Sequence, residues 1–326
     1  YHKISMKTKK IFLTGGSGFI GSNFIRHMCQ KYPQYEITNY DKLTYAGNNN
    51  SNLSGVEGWY HNYHFVKGDI CDYDKVKKTI RSLGIDTIIN FAAESHVDRS
   101  IENSDEFIKT NITGTHTLLK MFYDFPLDKF IQISTDEVYG SLKEGEERFT
   151  ENTPLAPNSP YAASKASADM ICRSFYETYE YPITITRCSN NYGPNQYPEK
   201  LIPLMIQKAK NNENLPVYGN GKNIRDWIHV KDHCEAIDVV LHKGNGGEVY
   251  NIGGLDEKRN IDIVNIILKG MIGLTTSEIE YVEDRLGHDF RYGIDITKIR
   301  GELGWSPRIT FEEGIRELLD ESRNRR

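Results

Sequence analysis

Along the first 190 positions one pattern repeats: a short apolar run, a polar or small residue that closes it, and a longer stretch with helical spacing. The runs fall at 10–13, 36–41, 65–70, 86–93, 131–135 and 183–187, are rich in Ile, Val, Phe and Leu, and lead into turn residues. Such runs read as buried strands. Between them, 22–30, 74–83, 104–123 and 161–179 carry the spacing of helices. Strands alternating with helices predict an α/β chain with a doubly wound, right-handed parallel sheet. Beyond residue 190 the alternation becomes irregular. Helices are predicted there at 201–210, 231–243, 294–303 and 311–322, and extended segments at 217–218, 225–230 and 248–252. The expected division is a first domain over 6–189 and a smaller α/β domain over 190–322, with the stretch at about 226–252 open to rejoining the first.

The chemistry collects at the strand ends. In open parallel sheets ligands bind outside the carboxyl ends of the strands, and the fifth run ends there in Thr135-Asp136-Glu137. Two adjacent carboxylates alone are more often a solvated turn than a site. Their company changes that. The first run leads directly into Thr14-Gly15-Gly16-Ser17-Gly18-Phe19-Ile20-Gly21. Gly15, Gly18 and Gly21 let the backbone turn tightly, approach a pyrophosphate and present a helix N-terminus to its charge. Asp41 closes the second run twenty positions after Gly21, where a carboxylate accepts hydrogen bonds from the adenosine ribose and repels a 2′-phosphate, favouring NAD over NADP.

Asp69 could reach the adenine amine or cap the helix that begins near Asp72, and the sequence leaves both open. Ala92 and Ala93 end the fourth run with room for a cofactor, and the polar stretch 94–100 follows at the same edge. That stretch could equally be an ordinary surface loop. Tyr161 and Lys165 stand four residues apart, on one helical face. An ammonium beside a phenol favours the phenolate and brings it toward the working range of a base. The spacing is common by chance, but its occurrence after the glycine turn, Asp41 and Thr135, in that order, is not.

Composition narrows the class. Hydrophobic residues make up 38% of 326, enough for a core, and no run of eighteen apolar residues is present to span a bilayer. Residues 1–10 are polar and basic without an apolar segment, so no signal peptide is expected there, and those ahead of Met6 read as an addition to the natural start. The net charge is −5 with the signs interspersed. Neither nucleic acid nor a membrane is an expected partner. Cys29, Cys71, Cys172, Cys188 and Cys234 form no C-x-x-C pair, which points to reduced thiols in a cytoplasm, without a disulfide framework or a metal site. In the second half Lys200, Arg225, Arg259-Asn260 and Asp284-Arg285-Leu286-Gly287-His288 gather cations with polar company. Arginine forks suit phosphate, so a nucleoside diphosphate is a natural guest.

The glycine turn, Asp41-Lys42-Leu43-Thr44-Tyr45-Ala46-Gly47-Asn48 and Tyr161-x-x-x-Lys165 together resemble the extended short-chain dehydrogenase/reductase family. Within it, Ala92-Ala93-Glu94-Ser95-His96-Val97-Asp98-Arg99-Ser100, Ser134-Thr135-Asp136-Glu137-Val138-Tyr139-Gly140 and Arg187-Cys188-Ser189-Asn190-Asn191-Tyr192-Gly193-Pro194 are similar to the 4,6-dehydratase branch that acts on dTDP-glucose. The resemblance runs from about Lys10 to Leu319. It implies a Rossmann-like doubly wound sheet with a smaller C-terminal α/β substrate-binding domain, NAD as the cofactor, and conversion of dTDP-glucose to dTDP-4-keto-6-deoxyglucose on a deoxysugar route such as that to rhamnose.

By the same resemblance Tyr161 takes the proton of the sugar 4-hydroxyl, with Lys165 lowering its pKa and Thr135 holding that hydroxyl. Glu137 removes the C5 proton and Asp136 protonates the departing 6-hydroxyl. The implied NAD site adds Phe19, Ile20, Lys42, Leu43, Thr44, Ile70, Thr110 and Asn191 to Gly15, Gly18, Gly21, Asp41, Asp69, Ala92, Ala93, Tyr161 and Lys165. The nucleotide-sugar site takes Glu94, Ser95, Thr135, Asn190, Lys200 and Leu201, together with Pro216, Tyr218, Arg225, Asn260, Asp284, Arg285 and His288. Helices 104–123 and 161–179 would meet their copies in a homodimer. A nucleotide-sugar 4-epimerase would share the fold, NAD, Tyr161 and Lys165, but has no use for an acid and a base at C5 and C6. A UDP- or CDP-glucose dehydratase is a nearer alternative: one thymine methyl separates UDP from dTDP, worth about 0.8 kcal/mol if buried. A non-catalytic NAD-binding protein would have little reason to keep Thr135, Asp136, Glu137, Tyr161 and Lys165 together.

Overall fold

The computed structural model describes residues 8–324, so the stretch around Met6 lies outside it. Six parallel strands come first: β1 (Lys10–Thr14), β2 (Glu36–Asp41), β3 (Tyr63–Lys67), β4 (Thr87–Asn90), β5 (Lys129–Thr135) and β6 (Ile183–Cys188). The chain then leaves the sheet for β7 (Asn190–Tyr192), β8 (Leu215–Tyr218) and β9 (Ile224–His229). It returns with β10 (Val249–Ile252), which pairs in parallel with β6. Across the seven-stranded sheet the order is β10-β6-β5-β4-β1-β2-β3. The direction of winding reverses between β4 and β1, and a crevice opens at the carboxyl ends of the strands at such a point.

Alternation along each strand sorts the core into two layers. Ile11 and Leu13 of β1 pack with Ile89, Ile131 and the helices Phe19–Lys31 and Val230–Lys243, while Phe12 packs with Ile88, Phe130, Ile185 and the helices Tyr73–Leu83 and Pro160–Tyr179. Every residue of β4 and β6 is buried. Covered faces on both sides are why these strands read as continuous apolar runs.

The rest of the chain builds a second, smaller layer. β9 lies between β7 and β11 (Glu257–Arg259), and β8 pairs with β12 (Ile279–Val282). Helices Leu201–Lys210, Asn260–Gly270 and Phe311–Asn324 cover them through Ile202, Met205, Ile263, Ile267, Phe311 and Ile315. The helix Asn260–Gly270 is absent from the sequence-based prediction. The polar stretch after β4 is half helical, Val97–Glu102, and the last helix but one opens at Thr297 rather than near 294. Region 104–123 is helical, but its middle, Ile108–Gly114, widens into π turns.

Candidate active site

A cleft of about 310 Å³ follows the carboxyl ends of the strands from β2 to β6. At one end lies the turn after β1. Gly15 has φ +69°, and a Cβ there would meet the Ala92 backbone at 2.6 Å; a Cβ on Gly21 would meet the Gly15 carbonyl at 2.5 Å. Only glycine permits this close passage of β1, β4 and the helix start, and it leaves the helix N-terminus open to an anion. Asp41 is buried at the end of β2, where Oδ2 accepts from Ser17 N (2.9 Å) and Oδ1 from Leu43 N (2.7 Å). A carboxylate has more acceptor sites than these two bonds use. Asp69 faces the same cleft, and Asp72, not Asp69, caps the helix Tyr73–Leu83 by accepting from Lys75 N. Asp69 instead accepts from Cys71 N (2.9 Å) and pairs with Lys42 (2.9 Å), and these hold its carboxyl below the usual range although burial works the other way.

Phe19, Ile20, Thr44, Ile70, Ala92, Ala93, Thr110 and Asn191 also line the cleft, whereas Leu43 contributes through its backbone bond to Asp41. This cradle fits a dinucleotide with an unphosphorylated ribose. Thr110 lies in the π segment. Asn111, next to it, accepts from Glu94 N (2.9 Å) and donates to Glu94 O (3.0 Å) and Ser164 Oγ (2.8 Å), binding the stretch after β4 to the helix that carries Tyr161. Such π turns recur at functional sites for this kind of local reason.

The other end is built on β5 and the helix Pro160–Tyr179. Ser159 caps that helix by accepting from Ala162 N, and Pro160 occupies its first turn. Tyr161 and Lys165 therefore face the cleft one turn apart. Lys165 Nζ donates to Ile133 O at 2.6 Å. Burial lowers its pKa and Asp169, a further turn along, opposes this. Burial and then the charge of Glu137 hold the Tyr161 phenol well above its ordinary value, and Thr135 is what favours the phenolate. The expected lowering of the phenol by Lys165 is opposed here by burial and by the Glu137 charge.

After β5 the chain makes a tight 3-10 turn, Asp136–Tyr139, capped by Thr135 Oγ1, which accepts from Glu137 N and donates to Asp136 Oδ1, both at 3.3 Å. The two carboxylates consequently point into the cleft with different surroundings. Asp136 is 1% exposed, and burial, Glu137 and Asp226 push its carboxyl well above the ordinary range. Burial raises Glu137 too, but Arg225, Lys200 and Arg285 pull it back. Both carboxyls are therefore raised, Asp136 well above its ordinary value and Glu137 with three cations offsetting part of the rise, an inequality that suits an acid beside a base.

Of the expected sugar-nucleotide residues, Glu94, Ser95, Asn190 and Lys200 line the same cleft. Leu201, Pro216, Tyr218, Arg225, Asn260, Asp284, Arg285 and His288 do not, and form the adjoining wall around β8 and β9. Arg225 there donates to the carbonyls of Ile224 (2.8 Å) and Asp289 (3.0 Å) and stacks over Tyr292. His288 Nδ1 meets Asp284 Oδ1 at 2.7 Å. The buried Asn260 Oδ1 has no partner among the described residues. Ion pairs tie this wall to the sheet: Arg285 to Asp98 (2.5 Å), Arg99 to Glu199 (3.1 Å), with Lys200 donating to Ser95 O (3.0 Å). Tyr45, Cys188, Ser189, Tyr197 and Glu199 line the cleft without having been anticipated. Cys188 and Ser189 were legible as neighbours of Asn190, and Tyr45 as part of the stretch 41–48; nothing local singles out Tyr197 and Glu199.

Comparison with known proteins agrees with this geometry. The family model for GDP-mannose 4,6 dehydratase matches residues 12–318. The low-salt glycan biosynthesis protein Agl12 of Haloferax volcanii is 50% identical over 310 residues, 95% of this chain and 97% of that protein. The dTDP-glucose 4,6-dehydratase of Bacillus anthracis, solved with NAD, superposes with a TM-score of 0.88 at 51% identity, covering 98% of this chain and 97% of that one. The dTDP-glucose 4,6-dehydratase of Streptomyces venezuelae, solved with NAD and dTDP, superposes with a TM-score of 0.92 at 44% identity, covering 97% and 98%.

Proposed function

Because the chain belongs to the GDP-mannose 4,6 dehydratase family, we propose that it is an NAD-dependent dTDP-glucose 4,6-dehydratase, a hydro-lyase that makes dTDP-4-keto-6-deoxyglucose and water. The observation that carries this reading is the turn after β5, where adjacent carboxylates with unequal electrostatic surroundings share a cleft with Tyr161. When bound, NAD supplies the acceptor for hydride from C4, the donor that returns it to C6 and, while oxidised, a positive charge that favours the Tyr161 phenolate. The sugar 4-hydroxyl sits between Thr135 and Tyr161, and Tyr161 removes its proton. A ketone at C4 acidifies C5. Glu137, ionised among Arg225, Lys200 and Arg285, takes that proton, and Asp136 gives its own to the 6-hydroxyl as it leaves. An epimerase would leave this acid–base pair without work.

The division of labour that goes with this reading puts NAD on residues 6–189 with β10 and the nucleotide sugar mainly on 190–322. The preference for dTDP over UDP or CDP rests on the named substrates of the relatives. A homodimer through the helical region 104–123 and the helix Pro160–Tyr179 is supported by Ile108, Tyr123, Met170 and Tyr179, apolar side chains left exposed on them. Five unpaired thiols suit a cytoplasmic enzyme on a deoxysugar route such as that to rhamnose. Among the described residues no helix is long and apolar enough to cross a membrane.

The test is a mass spectrum of dTDP-glucose incubated with the NAD-loaded protein without reductant. Loss of one water with NAD unchanged in amount and redox state is expected. Dehydration of UDP-glucose alone would overturn the nucleotide assignment, and formation of only the 4-epimer would overturn the dehydratase.

A further inference from the structure

His233 lies in the helix Val230–Lys243, fully buried, and its Nδ1 is 2.8 Å from Asn191 Oδ1. The orientation of that amide is fixed by its other end. Asn191 Nδ2 has two acceptors, Ser189 O at 3.0 Å and Cys188 Sγ at 3.5 Å, so the oxygen is the atom turned to His233. The imidazole must then donate from Nδ1, which leaves Nε2 as the bare acceptor. Nε2 is buried and has no partner among the described residues. Burial pushes the imidazole pKa down to about 3, so the ring is neutral and its one proton is committed to Asn191.

A buried histidine with one unpaired nitrogen is a costly way to fill a core, since an apolar side chain of similar size carries no such penalty. The neighbours give it little other use: the surrounding helix packs through Cys234, Ala236, Ile237 and Val240, all apolar. What the ring does contribute is a single directed bond to a side chain that lines the cleft beside Cys188 and Ser189.

We propose that His233 is a positioning residue that holds the Asn191 amide in register for the nicotinamide end of the cofactor. The proposal rests on the reading of the cleft as an NAD site. It joins a helix packed behind the glycine turn to the β6–β7 junction in front of it. The cofactor-facing side chain is thereby oriented by a residue that touches neither cofactor nor sugar.

The experiment measures NAD affinity by titration calorimetry of protein stripped of dinucleotide, alongside kcat and the KM for dTDP-glucose, in H233L, H233N, N191A and H233L/N191A. H233L should fold with unimpaired thermal stability, bind NAD about tenfold more weakly, and keep its sugar KM within about twofold of the wild type. H233N, whose Nδ2 stands where Nδ1 stood, should recover most of the NAD affinity. The double variant should be no worse than the poorer single one. Wild-type NAD affinity in H233L, no recovery in H233N, or losses that add in the double variant would overturn the role. A wild-type protein that does not bind NAD would instead refute the cofactor site itself.

Discussion

The two walls of the cleft are made differently. The sheet wall presents Asp41, Thr135, Asp136, Tyr161 and Lys165 from strand ends and one capped helix start, each fixed by backbone geometry and burial. The opposite wall presents Lys200, Arg225 and Arg285 from short strands and loops, each already holding a carbonyl or a carboxylate of its own. The first wall holds its acid–base side chains in place before anything binds. The second binds by exchanging partners. Chemistry should therefore fail all-or-none on one side, and affinity should shift by degrees on the other.

The largest effect expected is at Tyr161. Tyr161→Phe should lower kcat about 10³-fold while NAD stays bound, measured by product formation and by dinucleotide content after gel filtration. A loss confined to the KM would erase the distinction between the walls. Next comes Asp136→Asn, which should slow elimination about 10²-fold and leave oxidation at C4 intact, so that the 4-keto hexose accumulates, visible by quenched-flow mass spectrometry. The pair also sets a pH profile. Glu137 must be ionised and its pKa is raised, so activity falls on the acid side above the ordinary glutamate range. Asp136 must be protonated and its pKa is raised well above the ordinary value, so activity falls on the alkaline side only past that point.

Smaller, and graded, is the exchange on the second wall. Arg285→Ala should raise the KM for dTDP-glucose about tenfold, whereas Asp98→Ala, which frees Arg285 from its 2.5 Å partner, should lower it about twofold. Equal and parallel losses in both would mean that the pair only props the loop. The smallest effect on activity should come from Asp238, behind the sheet wall. It accepts from Lys31 (2.6 Å) and Tyr32 (3.0 Å) and meets His27 and His242 at 2.9 Å. Burial opposes its ionisation, but these partners win and hold its pKa far below the ordinary value. Its contribution is thus present above about pH 4 and lost as pH falls toward the folded value. Asp238→Asn should cost about 2 kcal/mol at pH 7 and less in acid, read from urea unfolding at several pH values.

The same contrast governs what the sequence revealed. Strand ends, glycine spacing and Tyr161-x-x-x-Lys165 are local patterns, and local patterns carried Gly15, Asp41, Thr135 and Tyr161 into the cleft. The second wall is assembled from pieces far apart in the chain, such as Arg285 with Asp98 and Glu199 with Arg99. No spacing announces those pairs. The helix Asn260–Gly270 went unseen, and so did the π turns at Ile108–Gly114, whose Asn111 bonds to Glu94, a partner distant in the chain. Nor does a Tyr–Lys spacing reveal that Lys165 spends a bond on Ile133 O.

The most direct test of the account is to follow deuterium placed at C4 of dTDP-glucose through one turnover. The sheet wall as described predicts a 4-keto-6-deoxy product that has lost one water and carries the label at C6, with none released to solvent. A dehydrated product without the label at C6, or retention of the label at C4, would contradict it.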